Sequence, residues 1–265
     1  MMKLKAAFWP AAMVLAFVCI GAVKADPTTD ANQSGKEKSR MERKFEEDVI
    51  KTDANDLKIT FIGHGTLMFT YSDMVVHVDP WSELADYSKM PKACLILITH
   101  EHRDHLDAEA IKILRQKQTS VVLTRACAEK VPGGIVMKNG DVKTIDGLTI
   151  EAVPAYNIVH KRPNGQPFHP SGAGNGYVVT FGKTRVYVTG DTENIPEMKK
   201  LKKIDIAFLP MNLPYTMTPE MAADAARAFE PKILYPYHYG QTDPNTLVNL
   251  LKDSKNIEVR IRKMQ

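Results

Sequence analysis

Ten residues, Ile98-Thr99-His100-Glu101-His102-Arg103-Asp104-His105-Leu106-Asp107, constrain this chain more than any other stretch. Three imidazoles and two acids crowd into the six positions from His100 to His105. They follow the apolar run Cys94-Leu95-Ile96-Leu97-Ile98, which has the length and composition of a buried strand. Asp107 then stands before Ala108-Glu109-Ala110-Ile111-Lys112-Ile113-Leu114, where its side chain is placed to cap a helix. The cluster therefore belongs on a short strand-to-helix loop, at the carboxyl end of a strand, where open α/β sheets gather their chemistry.

Such a cluster makes poor core material, because every imidazole and carboxylate needs a polar partner when buried. Neutral imidazole and carboxylate are, in contrast, common ligands of divalent metals. The helical zinc-protease pattern His-Glu-x-x-His is absent, since the histidines that follow His100 fall at the third and sixth positions. The bland alternative is a solvated histidine-rich loop, which fits badly between a strand and a capped helix.

His100-x-His102-x-Asp104-His105 resembles the first metal motif of the metallo-β-lactamase superfamily of hydrolases. The resemblance runs from about residue 57 to residue 262. Gly63-His64-Gly65-Thr66 with Val78-Asp79-Pro80 is similar to the entry hairpin of one branch, Gly190-Asp191-Thr192 to its bridging-aspartate motif, and Tyr237-His238-Tyr239-Gly240 to its last ligand segment. That branch includes the ascorbate-6-phosphate lactonase-like and the N-acyl phosphatidylethanolamine phospholipase D-like proteins. The resemblance implies an αββα four-layer sandwich, with two mixed β-sheets flanked by helices.

It also implies two divalent ions, zinc before iron or manganese. His100, His102 and a third histidine would hold one ion, Asp104, His105 and His238 the other, and Asp191 would bridge them. His169 and His160 both fall in the interval for the third histidine, and His169 is preferred because it lies nearer the strand at 177–181. Asn157 stands where close relatives carry histidine. Asp104 is the candidate proton acceptor and Asp79 a carboxylate that steadies the histidine loop. His64, Asn157, His160 and Tyr215 are placed behind the ligands or facing substrate. Tyr237 is a further candidate for the pocket wall, and His77 receives no role.

The remainder of the chain suits that reading. Short strands at 58–62, 67–71 and 74–78 form a meander, and a βαβα run follows with strands at 94–99 and 120–124 and helices at 108–117 and near 126–130. Strands at 149–154, 177–181 and 185–189 open a second half. It closes with strands at 205–210, 232–235 and 257–262 and helices at 219–229 and 244–252. Two β-led, α-finished halves suit two sheets sandwiched between helices. Gly172-Ala173-Gly174-Asn175-Gly176 precedes a strand rather than joining strand to helix, so it is no dinucleotide fingerprint. The twenty residues from Asn157 to Gly176 are long enough for a lid or substrate wall, and Lys161 and Arg162 in it offer charge to an anionic group.

Residues 1–25 read as a cleaved signal peptide. Lys3 and Lys5 precede an apolar run over 6–22, broken by Pro10, and Val23-Lys24-Ala25 offers a cleavage site; a retained membrane anchor is the alternative. Its removal takes away three lysines and no acid, so the net charge of +4 falls to +1 and gives no ground for a nucleic-acid partner. Residues 26–55 read as a polar linker, with a short surface helix around 41–50 as the other option, and residues 56–265 as the hydrolase domain. Cys94 and Cys127 are either a disulfide pair or plain core residues. The expected function is a periplasmic or secreted metal-dependent hydrolase of a small phosphodiester or lactone-like ester. A β-lactam hydrolase and a non-catalytic metal-binding or sensor protein are the rivals.

Overall fold

The computed structural model describes residues 44–265, so the expected signal peptide and most of the expected linker lie outside the described residues. Among the described residues no helix is long and apolar enough to cross a membrane.

Alternating and continuous apolar runs build two seven-stranded sheets. The first takes its strands in chain order: β1 (Glu46–Lys51), β2 (Asp56–Gly63), β3 (Thr66–Tyr71), β4 (Met74–Val78), β5 (Leu95–Leu97), β6 (Ser120–Leu123) and β7 (Ile135–Val136). The first four pair antiparallel and the last three are added in parallel. The second sheet repeats the scheme. β8 (Val142–Ile145), β9 (Leu148–Ala155), β10 (Gly174–Phe181) and β11 (Thr184–Val188) are antiparallel. β12 (Ile206–Pro210), β13 (Ile233–Tyr237) and β14 (Glu258–Val259) extend it in parallel. Parallel neighbours need crossovers, and these carry the helices. α1 (Ala108–Leu114) and α2 (Arg125–Ala128) follow β5 and β6, while α3 (Pro219–Phe229) and α4 (Asn245–Leu251) follow β12 and β13.

One core fills the space between the sheets, with Phe69 5.6 Å from Phe181 and 5.9 Å from Phe208 between ring centroids. A second joins Ile62, Ile96 and Ile98 to Ala110, Ile111 and Leu114 of α1. The buried alanine face of α3 covers the second sheet, where Phe229 meets Tyr187 edge-on at 5.8 Å. The layers are thus α, β, β, α, as expected. Thr218 caps α3 through Met221 N–H, with Pro219 at the first turn, and Asp243 accepts from Asn245 N–H at the start of α4.

Several boundaries differ from the sequence reading. The domain begins before residue 56, because residues 46–51 are neither tether nor helix but an edge strand, paired with β2 from Glu46↔Phe61 to Lys51↔Asp56. Its polarity misleads because Asp48 is satisfied across the sandwich, where it accepts from Arg262 and Tyr235. Residues 260–262 leave β14 to make those contacts, so the last strand is two residues long. β5 and α1 are shorter than expected, and β7 and β8 were not foreseen. Cys94 and Cys127 are both free thiols.

Candidate metal centre and cleft

The parallel strands deliver their next residues to one end of the sandwich. β5 stops at Leu97, and the chain turns tightly through residues 98–106, where the His105 and Leu106 N–H groups both donate to His102 O. Asp107 closes the turn by capping α1 through the N–H groups of Glu109 and Ala110. β11 ends just before Thr189-Gly190-Asp191, and β13 just before His238. Gly190 has φ +65°, and a Cβ there would lie 2.9 Å from Thr99 Cβ, so glycine is needed to bring Asp191 against the histidine loop. Gly65 is needed in the same way, since its Cβ would stand 2.8 Å from His105 Cε1. His64, Asp79 and His238 all have positive φ. A side-chain-bearing residue held there costs roughly 1–3 kcal/mol, strain of the kind that gathers at functional sites.

Two sets of atoms converge. In the first, His102 Nδ1 lies 3.1 Å from His100 Nε2 and 3.2 Å from His169 Nε2. Asp191 Oδ2 lies 3.3 Å from His169 Nε2 and 3.9 Å from His100 Nε2. In the second, Asp191 Oδ1 is 3.5 Å from His105 Nε2 and 3.4 Å from His238 Nε2, and Asp104 Oδ2 is 3.5 and 3.6 Å from the same nitrogens. One carboxylate thus presents an oxygen to each set.

The atoms behind these sets fix which nitrogen faces inward. Asp79 accepts from Thr99 N–H at 2.8 Å and from the Thr99 hydroxyl at 2.5 Å. With that hydroxyl proton committed, Thr99 Oγ1 accepts from His100 Nδ1 at 3.0 Å, while Asp79 Oδ2 accepts from His105 Nδ1 at 2.8 Å. Asn157 Oδ1 does the same for His169, at 2.7 Å from Nδ1. In the neutral form of each ring the Nε2 lone pair is then directed into the cage, the usual outer-shell arrangement of a histidine that binds metal.

His105 Nε2, His238 Nε2 and Asp191 Oδ1 are buried and have no hydrogen-bond partner among the described residues. Orphaned polar atoms of this kind demand an explanation. A tetrahedron with edges of about 3.5 Å has its centre roughly 2.1 Å from each corner, the length of a zinc–nitrogen or zinc–oxygen bond. The residues fit a divalent ion in both sets.

Electrostatics separates the two. Burial and the neighbouring His105 hold the His100 imidazole well below its usual range, and burial beside His169 lowers His102. Burial alone would also lower His105, but the Asp191, Asp79 and Asp104 carboxylates push it up to about 10. His238 is raised against its burial by Asp191 and Asp104. Asp191 is held well below the carboxylate range although burial opposes it, chiefly by His238 and His105. His100 and His102 are thus disposed to meet a cation as neutral rings, whereas His105 must give up a proton to bind one.

His100, His102, Asp104, His105, His169, Asp191 and His238 are all brought together. His64 adjoins them, its Nε2 3.0 Å from Asp104 Oδ2 and its ring 3.7 Å from that of His238. His160 is drawn elsewhere, with Nδ1 2.8 Å from Glu193 Oε1. Above the cages opens a cleft of about 340 Å³, lined by Arg103, Arg162, Phe168, Asn212 and Tyr215. Tyr237 does not line it: the ring is buried and its hydroxyl donates to Gly190 O. Sequence reasoning missed Thr99, Glu193, Asn212 and Phe168. Thr99, next to the motif, was open to suspicion; the others act through loop contacts that leave no spacing signal.

This is the site of a metal-dependent hydrolase on a four-layer sandwich. The family model of the beta-lactamase superfamily domain matches residues 58–238, and the chain belongs to the metallo-β-lactamase superfamily. A metal-dependent hydrolase from Parabacteroides distasonis, known from its crystal structure, is 53% identical, with a TM-score of 0.80 over 84% of this chain and 100% of that one. Igni18, a metallo hydrolase of Ignicoccus hospitalis, is 26% identical, with a TM-score of 0.65 over 79% of this chain and 96% of that one. A UPF0173 metal-dependent hydrolase of Pyrobaculum calidifontis is 30% identical over 77% of this chain and 92% of its own length.

Proposed function

We propose that the protein is an exported hydrolase that holds two divalent ions, best suited to zinc, and cleaves a small phosphodiester or lactone-like ester. The observation that carries the dinuclear reading is Asp191, whose two oxygens face two separate ligand sets. Export rests on the character of residues 1–25.

Bound divalent ions supply Lewis acidity, which makes water nucleophilic near neutral pH and stabilises charge developing on the attacked centre. The chain's own residues do the rest. Asp104, about one-third exposed at the cleft floor, shares Oδ2 among His64, His105 and His238. We assign it the proton leaving the attacking water, taken through a charge-assisted hydrogen bond. His64, kept neutral chiefly by burial, holds that carboxylate in place. Phe168 and Tyr215, edge-on at 5.0 Å, form an aromatic wall, and Arg162 lies over Phe168 at 5.1 Å, where its guanidinium can meet an anionic group.

The test is elemental analysis of the mature protein alongside turnover of bis(p-nitrophenyl) phosphate, a simple lactone and a chromogenic cephalosporin. Two ions per chain with diester or lactone turnover is the expected result. Fewer than one ion after zinc, iron or manganese is added, or turnover of the cephalosporin alone, overturns the proposal.

A further inference from the structure

Glu193, two residues beyond Asp191, is fully buried, and its carboxylate gathers a loop from elsewhere in the chain. Oε2 accepts from the Ile158 and Val159 N–H groups at 2.7 Å each, and Oε1 from His160 N–H at 2.7 Å. Oε1 also accepts from Asn157 Nδ2 at 3.1 Å. The same Asn157 turns its oxygen to His169, accepting from the backbone N–H at 2.9 Å and from Nδ1 at 2.7 Å, and donates to Tyr215 O at 2.8 Å. The Glu193 N–H donates to Tyr156 O, which locks the two segments from the other side.

We infer that Glu193 is a positioning residue that acts through Asn157 to hold His169 Nε2 in the three-histidine cage. The inference rests on the dinuclear reading above. Asn157 is an amide with one end of each polarity, and it needs a partner to tell it which way to face. The Glu193 carboxylate accepts only, so it holds the NH₂ end, and the carbonyl end is left for His169 Nδ1–H. The His169 N–H and Tyr215 O favour the same orientation, so losing the carboxylate does not turn the amide over but releases residues 157–160 and lets Asn157 draw back from His169. A His169 Nδ1 without its acceptor no longer holds the proton there, and a ring with the proton on Nε2 takes one ligand from the cage. Tyr215, on the cleft wall, hangs from the same amide, so the anchor also sets one side of the substrate site.

The experiment is a double-substitution cycle read by zinc affinity rather than by turnover. Chelator-stripped wild type, Glu193→Gln, Asn157→Ala and the double variant are titrated with zinc against a chromophoric chelator, and His102→Ala identifies which binding step belongs to the three-histidine cage. Outer-shell partners of metal ligands typically contribute about 10–100-fold in affinity. We expect Glu193→Gln to weaken that step on this scale and to leave the other step unchanged. We also expect the double variant to lose no more than Asn157→Ala alone, because the two residues act in one line. A role confined to fold stability would lower both steps and add to the loss from Asn157→Ala. Wild-type affinity at both steps in Glu193→Gln, or additive losses in the double variant, overturns the inference. If Glu193→Gln does not fold, the cycle is run with Glu193→Asp, which keeps the charge and shortens the reach, and the same two outcomes decide. Fewer than two zinc ions on the wild type defeats the dinuclear proposal itself, whereas two ions with an unaffected Glu193→Gln defeats only this step.

Discussion

At the scale of single residues, the site turns on which atom of each side chain faces inward. Asp191 is the one group shared by both ligand sets, so Asp191→Ala is expected to release both ions and to lower hydrolysis by on the order of 100-fold or more, as elemental analysis and diester turnover will read. His160→Ala is the contrast. Its imidazole faces Glu193 and no cage atom, so two ions per chain should remain, and loss of one would return His160 to the ligand set. Asp79→Asn tests the layer behind. An amide cannot accept from the Thr99 hydroxyl, Thr99 N–H and His105 Nδ1–H all at once, so zinc affinity should fall by about 10–100-fold with the fold intact. Unchanged affinity would show that His105 needs no partner to present Nε2. Most of these residues were legible in the sequence, because His100 to His105 are adjacent and Asp79, Asp191 and His238 each follow an apolar strand. Glu193 was not: its partners are main-chain N–H groups 33–35 positions earlier, and backbone donors have no residue type to read.

At the scale of elements, β1 shows how a charged edge strand becomes part of a core. Asp48 receives Arg262, Arg260 and Tyr235, and it joins β1 to β13 and to the segment that follows β14. Burial pushes its carboxyl up, but the hydrogen bonds and charges of Arg262, Tyr235 and Arg260 hold it below the ordinary value. A depressed folded-state pKa contributes stability above the unfolded value of 3.8, and this is lost as pH falls through the folded value. Asp48→Asn should therefore cost about 1.5–3 kcal/mol in urea unfolding at pH 7, the scale of a hydrogen bond to a charged group. The gap to wild type should narrow below about pH 4. A gap that does not change with pH would mean that packing, not charge, ties β1 down. The same chemistry explains why this strand was illegible. Period-two patterning reveals a strand when one face is apolar, and residues 46–51 alternate in burial while carrying acids on the covered face. The two-residue β7 and β14 are too short to show any period. The helix at 219–229 was read correctly because Thr218, Pro219 and the alanine face agree locally.

At the scale of the whole domain, the cages draw on both sheets. His64, Asp79 and the histidine loop come from the first sheet, Asp191 and His238 from the second, and His169 from the loop between β9 and β10. Two ions held there would stitch the sheets together at the end where the strands stop, adding to the apolar core and to polar ties such as Tyr177 O–H to Ile98 O. Asp79, Asp104 and Asp191 lie close together and raise His105 and His238 against their burial, and three buried atoms of the second cage have no hydrogen-bond partner among the described residues. Any ligand that binds the folded state alone stabilises it by mass action, about 4 kcal/mol when its free concentration is a thousand times its dissociation constant. For a domain of this size each kcal/mol moves Tm by about 2–4 °C, so zinc-loaded protein should melt roughly 8–16 °C above chelator-treated protein. Asp191→Ala should show almost none of that difference, since it removes the carboxylate shared by both ligand sets. Equal melting temperatures for loaded and stripped wild type would mean that the cages do not bind the ions any more tightly in the folded chain than in the unfolded one. A large shift that survives in Asp191→Ala would place the stabilising ion away from the shared carboxylate, in one cage only.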